Sequence, residues 1–328
     1  MSEEDLATVQ AEFPGYKIWR EVFPGRARYV VRSLLPGLGP HTVVTDDLSE
    51  LRGLLEPAGP SQVSGFTTAR ANPARMYAHW LGGKDCFAAD RVAADGILAT
   101  FPEIAGVARA NRGFVARAVR HVARQGVRQF ADFGAGLPDS PNVHEVAREQ
   151  VPDARVVYVD HDPVVLSHAR ALLAADENIG VVAADLRRPA LALADPALGQ
   201  MMTNGEPVCV ILGCVLHFLA PGEADNAVAW FRRWMAPGSY LVISAGTSTG
   251  TDPELVRRLQ AAVADAAPVC ARTAGEIAAW FDGLDLVRPG VVDVQSWRPG
   301  TLVPPARSRA RILAGVGRKP AAGIGGPV

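Results

Sequence analysis

From residue 69 onward, short apolar segments alternate with longer segments of helical periodicity, and this alternation constrains the fold more than any other feature. Each apolar segment is rich in β-branched residues, which is typical of strands buried on both faces. Strands that alternate with helices form a parallel sheet with helices on both faces. The predicted strands cover residues 129–133, 154–159, 181–184, 208–212 and 240–244.

The end of the chain departs from this alternation. After a predicted helix at residues 273–281, two strand-like segments at residues 284–294 and 310–316 have no helix between them. Consecutive strands without a crossover helix pair antiparallel. We therefore predict an α/β fold with a mostly parallel, Rossmann-like sheet that carries an antiparallel hairpin at one edge.

The first part of the chain has a different pattern. Pro-Gly pairs mark turns, and residues 16–22 and 27–35 between them are rich in aromatic and β-branched residues, which favours strands. With a short helix at residues 45–55, these strands predict a small α+β module. The predicted organisation is a module at residues 1–57, a linker at 58–68, a larger domain at 69–319 and a disordered tail at 320–328.

Composition excludes several classes of function. A hydrophobic content of 48% supports a large core, and a net charge of −1 excludes a surface devoted entirely to nucleic acid. The longest apolar run, residues 208–220, is shorter than the roughly 18 residues of a membrane helix. The acidic start lacks the apolar region of a signal peptide, and the four cysteines form no CxxC pair. We expect a cytoplasmic protein without a structural metal or disulfides.

The strongest motif is the stretch Asp132-Phe133-Gly134-Ala135-Gly136, in which an apolar strand enters a glycine turn. In doubly wound sheets the ligand lies at the carboxyl ends of the strands, where glycines let the backbone approach it. A dinucleotide fingerprint would need a third small residue at position 139, which is Asp139. The pattern therefore favours a cationic ligand without phosphates and disfavours an NAD-linked oxidoreductase.

Two further carboxylates follow the next predicted strands. Asp160 is in the position where an acid can accept both ribose hydroxyls, and Asp185 in the position where an acid can accept from an adenine amino group. An acid at a strand end is often only a helix cap. Three acids in order at three strand ends predict an adenosine ligand without phosphates, which is S-adenosylmethionine.

The sequence resembles an actinobacterial S-adenosyl methyltransferase family that was long catalogued as a domain of unknown function. The resemblance covers about residues 69–319 and rests on segments 76–77, 81–85, 87–91, 110–112, 136–145, 157–163, 215–218 and 237–241. It implies the class I methyltransferase fold and S-adenosylmethionine as cofactor. One departure is Cys86, because relatives commonly carry Asn there. Residues 1–57 lie outside this domain and resemble a short actinobacterial module of unknown role.

The resemblance also implies roles for single residues. Asp132, Gly134 and Gly136 match the turn around the methionine part of the cofactor, Asp160 matches the ribose acid, and His161, Asp185 and Leu186 match the adenine side. Lys84, in the loop before the first strand, is a candidate for the methionine carboxylate or an acidic substrate. Arg112, on the helix before that strand, is a further candidate. A solvated charge or a surface ion pair is the alternative for these two.

His217 follows the fourth strand, where this fold places groups on the acceptor side. It is the candidate general base for a hydroxyl or amine acceptor, with a core or helix-capping imidazole as the alternative. In the first segment, the basic cluster of Lys17, Arg20, Arg26, Arg28 and Arg32 permits a contact with nucleic acid, although a solvated strand face is the default interpretation.

Together these features predict an enzyme that transfers a methyl group from S-adenosylmethionine to an unidentified acceptor, which we expect to be a small molecule. No metal is required by the motifs. The alternative from another class is a regulatory or interaction protein that binds the cofactor without turning it over.

Overall fold

The structure is a computed structural model. It describes residues 3–13, 16–23, 26–33, 42–45, 51, 55, 68–173, 176–193, 195–203, 205–264, 267–299 and 308–321. The predicted linker, apart from its last residue, lies outside the described residues. Most of the predicted helix at 45–55 and of the predicted tail also lies outside them.

The described elements follow in chain order. The strands are β1 (Tyr16–Phe23), β2 (Arg26–Ser33), β3 (Thr42–Thr45), β4 (Gln129–Phe133), β5 (Arg155–Asp160), β6 (Ile179–Ala183), β7 (Val208–Gly213), β8 (Tyr240–Gly246), β9 (Asp285–Leu286), β10 (Val292–Asp293) and β11 (Ile312–Arg318). The helices are α1 (Glu3–Glu12), α2 (Pro73–Leu81), α3 (Ala88–Thr100), α4 (Ile104–Arg124), α5 (Val143–Arg148), α6 (Pro163–Leu172), α7 (Pro189–Leu193), α8 (Pro196–Met201), α9 (Pro221–Trp234), α10 (Pro253–Val263) and α11 (Ala274–Ala279), with a 3-10 turn at Leu216–Phe218. Among these described residues, no helix is both long enough and apolar enough to cross a membrane.

The larger sheet confirms the predicted fold class. In the described part of the chain its strand order is β10-β11-β8-β7-β4-β5-β6, and β4 to β8 run parallel. The antiparallel edge is confirmed with a correction, because β11 pairs with β8 and both β9 and β10 pair with β11. The predicted continuous strand at 284–294 is wrong: Pro289 has no N–H to donate and Gly290 has a φ of +91°, so only two short pieces remain.

Both faces of this sheet are covered by helices. On one face Phe130, Val156 and Ile211 pack against Phe114 and Val119 of α4. On the other face neighbouring strand residues pack against α9. Burying each large side chain contributes about 1.5–3 kcal/mol, so these two layers hold the carboxyl ends of β4 to β8 in a fixed row.

Helix α2 lies over that row of strand ends and has strong boundary signals. The Asn72 side chain accepts from the backbone N–H of Ala74 at 2.8 Å, and Pro73 occupies the first helical position. Gly82 ends the helix with a φ of +95°. Both boundaries therefore follow from local sequence signals, the Asn72-Pro73 pair at the start and the Gly82-Gly83 pair at the end.

The first segment is an antiparallel sheet with the order β1-β2-β3, accompanied by α1. The two predicted strands are confirmed with small changes of boundary. Helix α1 was not predicted, although Leu6, Val9 and Phe13 have the spacing of one helical face. Val9 and Phe13 are buried against the sheet, so this short apolar stripe is the signal that could have indicated the helix.

Candidate binding and active site

A cavity of about 350 Å³ lies at the carboxyl ends of the parallel strands. Its polar half consists of strand-end residues of β4, β5 and β6, namely 132–136, 160–162 and 185–187. Its apolar half lies beyond β7 and β8 and is lined by Met76, Trp80, Ile104, Phe218, Leu255 and Leu259. Because β7 lies next to β4 in the sheet, the two halves are continuous.

The glycine turn after β4 depends on two glycines for different reasons. Both have left-handed backbone, with φ of +71° at Gly134 and +67° at Gly136. A Cβ on Gly134 would lie 2.5 Å from Cγ2 of Val215, whereas a Cβ on Gly136 would meet no atom within 4 Å. Gly134 is therefore required by packing, and Gly136 leaves open space at the turn.

Asp160 ties the end of β5 to this turn. Its Oδ1 accepts from the backbone N–H groups of His161 and Asp162 at 2.8 and 3.0 Å, and its Oδ2 accepts from that of Gly136 at 3.0 Å. Burial raises the pKa of Asp160 above its ordinary value, although these backbone hydrogen bonds oppose the rise. A carboxylate oxygen accepts about two hydrogen bonds, so Oδ2 keeps capacity for a ligand hydroxyl.

Asp132, in β4, and Arg112, on α4, are the candidates for the methionine side, and that role stays a prediction. Asp132 is only 6% exposed, and burial raises its pKa to about 7, with the charge of Arg112 opposing and that of Asp160 adding to the shift. Arg112 donates to the backbone oxygen of Asp139 at 2.6 Å and thereby holds the segment after the glycine turn. Both residues line the cavity.

The three candidates for the adenine side differ in burial and in the partners that they contact. Leu186 is buried in the cavity wall, and His161 lies at its rim with a side chain 70% exposed. Asp185 accepts from the guanidinium of Arg187 at 2.8 and 2.5 Å. Burial pushes the pKa of Asp185 upward, but the bonds from Arg187 outweigh it and the pKa is lowered. The sequence analysis did not predict this ion pair.

Lys84 differs from the other candidates. It is exposed, and although Gly83 and Asp85 on either side of it line the cavity, Lys84 is not among the lining residues. Its contact with the methionine carboxylate or with an acidic substrate stays a prediction.

A buried ion network, missed by the sequence reading, lies behind the polar half. Arg75 pairs with Asp90 at 2.8 Å and with Asp162 at 2.9 Å, and all three side chains are at most 5% exposed. Asn72 donates to the same oxygen of Asp162 at 2.6 Å. The network joins α2 and α3 to the loop after β5. Charged residues in amphipathic helices usually face solvent, so the sequence offered no signal for it.

A second missed group lies where α2 crosses α4. The hydroxyl of Tyr77 donates to the backbone oxygen of Ala108 at 2.8 Å and accepts from the Asn111 amide at 3.0 Å. Burial raises the pKa of Tyr77, so the phenol stays protonated at neutral pH. Both side chains line the cavity. Tyr77 and Asn111 belong to segments 76–77 and 110–112 of the family resemblance, and that resemblance was the sequence signal that could have indicated them.

His217 lies in the 3-10 turn after β7, as predicted, and lines the cavity. Its Nδ1 accepts from the backbone N–H of Gly246 at 3.3 Å. Burial, with a further contribution from Arg272, lowers its pKa to about 4. A neutral imidazole that accepts at Nδ1 carries its proton on Nε2. This arrangement favours a hydrogen-bond donor over a general base.

The parallel strand order, the antiparallel strand at one edge, and the glycine turn with acids at successive strand ends define a class I methyltransferase fold. The sequence model of the family described as S-adenosyl methyltransferase matches residues 61–320, so the chain belongs to this family. No curated protein sequence matches the chain.

Two solved structures agree with this assignment. A Thermobifida fusca protein described as a candidate methyltransferase is 40% identical, with a TM-score of 0.73 over 80% of this chain and 100% of that chain. A Streptomyces avermitilis protein of the duf574 family is 36% identical, with a TM-score of 0.72 over 77% of this chain and 99% of that chain. The predicted family, the methyltransferase activity and S-adenosylmethionine as cofactor are thus confirmed.

Proposed function

We propose that this methyltransferase acts on a small molecule that binds in the apolar half of the cavity, beside the cofactor in the polar half. The observation that carries the proposal is the continuity of the two halves across neighbouring strands β4 and β7. The whole cavity, both halves together, has a volume of about 350 Å³, within the range of small-molecule sites, about 300–1,000 Å³.

Three features of the polar half fit S-adenosylmethionine. The space beside Gly136 admits a group that a side chain would exclude. Asp160 retains hydrogen-bonding capacity on Oδ2 for the ribose. The buried carboxyl of Asp132 suits a cationic ligand, because a nearby positive charge favours its ionised form. We assign the adenine side to His161, Asp185 and Leu186.

The cofactor supplies an electrophilic methyl group, and the residues of the chain have to align the acceptor and exclude water. The helices α2, α4 and α10 supply apolar walls to the acceptor half. Nε2 of His217 offers a hydrogen bond to the acceptor, and the hydroxyl of Tyr77 fixes α2 against α4. An acceptor with an already available lone pair fits this arrangement, since His217 is a weak base.

Calorimetry with S-adenosylmethionine, S-adenosylhomocysteine and NAD tests the cofactor assignment. We expect Asp160→Ala to weaken binding of both sulfur compounds by about 2–4 kcal/mol, or about 30-fold to 1,000-fold, and Asp160→Asn to weaken it less. Asp153→Ala is the control, because Asp153 is 60% exposed and pairs only with Arg128 among the described contacts. Binding of NAD, or wild-type affinity in Asp160→Ala, would contradict the assignment.

The alternative of a binding protein without turnover is tested by release of S-adenosylhomocysteine during incubation with candidate acceptors.

A cytoplasmic location is part of this proposal, on the evidence of the sequence features given above. A nucleic-acid contact through the first segment stays a prediction. One member of its basic cluster, Arg28, is already engaged within the protein, since it bonds to Glu21 at 2.7 Å.

A further inference from the structure

We infer that the acceptor is an uncharged molecule with an apolar body and one polar group near Thr251. The inference rests on the proposed function, because it assumes that the acceptor occupies the apolar half of the cavity.

The walls of the apolar half come from three helices. Met76 and Trp80 come from α2, Ile104 from α4, and Leu255 and Leu259 from α10. Met76, Ile104 and Leu255 are buried members of one apolar cluster, and Trp80 and Leu259 pack against it. An apolar ligand body that fills this space removes apolar surface from water on both partners.

The charges around this half are already compensated in the part of the chain that the structure describes. Arg311 is the charged side chain that lines it, and its guanidinium bonds to Asp293 at 3.0 and 2.8 Å and to the backbone oxygen of Thr249 at 2.8 Å. His217 is neutral at pH 7 because burial lowers its pKa. A charged acceptor would lose its hydration here without gaining an opposite charge from the described side chains of this half.

Three lining residues, Asp85, Asn111 and Thr251, have a buried side-chain oxygen without a partner among the described residues, and Thr251 is the one beside α10. Oγ1 of Thr251 is buried and has no hydrogen-bond partner among the described residues, although Thr251 lines the cavity. An unpaired buried hydroxyl is unfavourable, and a ligand group that bonds to it removes that cost. This atom therefore selects for a hydroxyl, carbonyl or amine on the otherwise apolar acceptor.

Binding of 2-naphthol and of 6-hydroxy-2-naphthoate, measured by calorimetry in the presence of S-adenosylhomocysteine, tests the inference. The two probes share a ring system and a hydroxyl and differ in one carboxylate. We expect 2-naphthol to bind at least about tenfold more tightly. Equal or tighter binding of the carboxylate, or no binding of 2-naphthol, would overturn the inference.

Variants locate the probe. Leu259→Asp should weaken 2-naphthol binding at least about tenfold, and Leu172→Asp, at a position 51% exposed on α6, should not. Thr251→Val should weaken binding of 2-naphthol and leave that of naphthalene unchanged. Each variant is first tested for S-adenosylhomocysteine binding, which reports an intact polar half. Failure of wild type to bind S-adenosylhomocysteine would contradict the proposed function itself, whereas a preference for naphthoate contradicts only this inference.

A separate observation concerns the N-terminal module, formed by α1, β1, β2 and β3. We propose that this module holds the polar half of the cavity in place from outside. Its core residues, among them Val9, Tyr29 and Val31, form one apolar cluster with Phe87 and Val164 of the larger domain, against which Leu137 also packs.

The three residues contacted on the larger domain belong to segments that line the cavity, two of them in its polar half. Leu137 follows Gly136 of the glycine turn. Val164 lies in the first turn of α6, two residues after Asp162. Phe87 follows the loop that contains Gly83 and Asp85. The module therefore packs behind each of these three lining segments.

Arg28 of β2 extends this contact to the other end of α6. Its guanidinium donates to the backbone oxygen of Ala171, in the last turn of α6, and β3 packs along the same helix. A cation at a helix C-terminus is favourable because of the helix dipole. The family match begins at residue 61, so this contact is made by a part of the chain outside the family's own domain.

The matched pair Arg28→Ala and Arg32→Ala tests the proposal in the full chain, since Arg32 is exposed on the same strand. We expect Arg28→Ala to weaken S-adenosylhomocysteine binding about threefold, to leave 2-naphthol binding unchanged, and to speed hydrogen exchange in α6. Arg28→Lys should restore part of the affinity. Unchanged cofactor affinity and exchange in Arg28→Ala, or equal losses in Arg32→Ala, would overturn the proposal.

Discussion

The two halves of the cavity are built in different ways. The polar half uses residues that follow three neighbouring strands, β4, β5 and β6, and it concentrates buried carboxyl groups. The apolar half uses side chains from α2, α4 and α10, which are far apart in the sequence. The difference teaches that the site for the shared cofactor is encoded locally, whereas the acceptor site is a product of how distant helices pack.

The two halves also differ in electrostatics. Asp132 and Asp160 are both buried near the glycine turn, and burial raises both pKa values. In the apolar half, the charge of Arg311 is paired with Asp293. The polar half therefore favours a cation, and the apolar half favours a neutral molecule.

The largest expected effect comes from breaking the ion network behind the polar half. Arg75→Met removes the partner of both Asp90 and Asp162 and leaves two buried carboxylates without their cation. Removing one member of a buried pair typically costs about 3–5 kcal/mol. Chemical unfolding should show a loss of this size. A loss below about 1 kcal/mol would mean that the network does not hold the loop after β5.

The second effect separates the two glycines of the turn. Gly134→Ala adds a clash with Val215 to the cost of a left-handed backbone, so we expect a loss of about 2–5 kcal/mol in the free energy of unfolding. Gly136→Ala meets no atom and should cost only about 1–2 kcal/mol, while weakening cofactor binding. In the double variant Gly134→Ala with Val215→Ala, the clash is removed, so the part of the loss in unfolding free energy that comes from the clash should be regained. Equal losses in the two single variants would contradict the packing argument.

These contrasts show what the sequence could and could not predict. Asp132, Gly134 and Asp160 were predictable because a strand followed by a turn fixes where a residue lies in this class of sheet. The role of Arg75 was not predictable, and only the family resemblance pointed to Tyr77, because both roles depend on how α2 packs against α3 and α4. The same holds for Leu255 and Leu259, since an apolar side chain in an amphipathic helix looks the same whether it faces the core or a cavity.

The third effect is a pH dependence that belongs to the polar half alone. The pKa of Asp132 is raised to about 7 in the folded protein, against about 3.9 in an unfolded chain, so binding of a cationic ligand below pH 7 requires loss of a proton. Affinity for S-adenosylmethionine should therefore fall by up to about tenfold per pH unit below 7. Binding of 2-naphthol should not follow this profile.

The raised pKa of Asp132 changes the stability of the free protein with pH in the opposite direction to the affinity. Between about pH 4 and 7 the folded state of the free protein binds this proton and the unfolded state does not, so this contribution to stability is lost as the pH rises through that range. Asp132→Asn is the control, because it removes the titrating group. An unchanged pH profile of affinity in Asp132→Asn would assign the dependence to another residue.

The smallest effect concerns His217 and decides what the imidazole does at the boundary of the two halves. A general base would have to present an unprotonated nitrogen to the acceptor, but Nδ1 is occupied by the N–H of Gly246. Nitrogen chemical shifts measured by NMR should show a single neutral tautomer with the proton on Nε2 at pH 7, and a titration near pH 4. His217→Ala should change cofactor affinity less than about twofold and lower turnover about tenfold or less, since it removes one hydrogen bond. A titration of His217 near pH 6.5, together with a loss of about 100-fold in turnover, would support the general-base role instead.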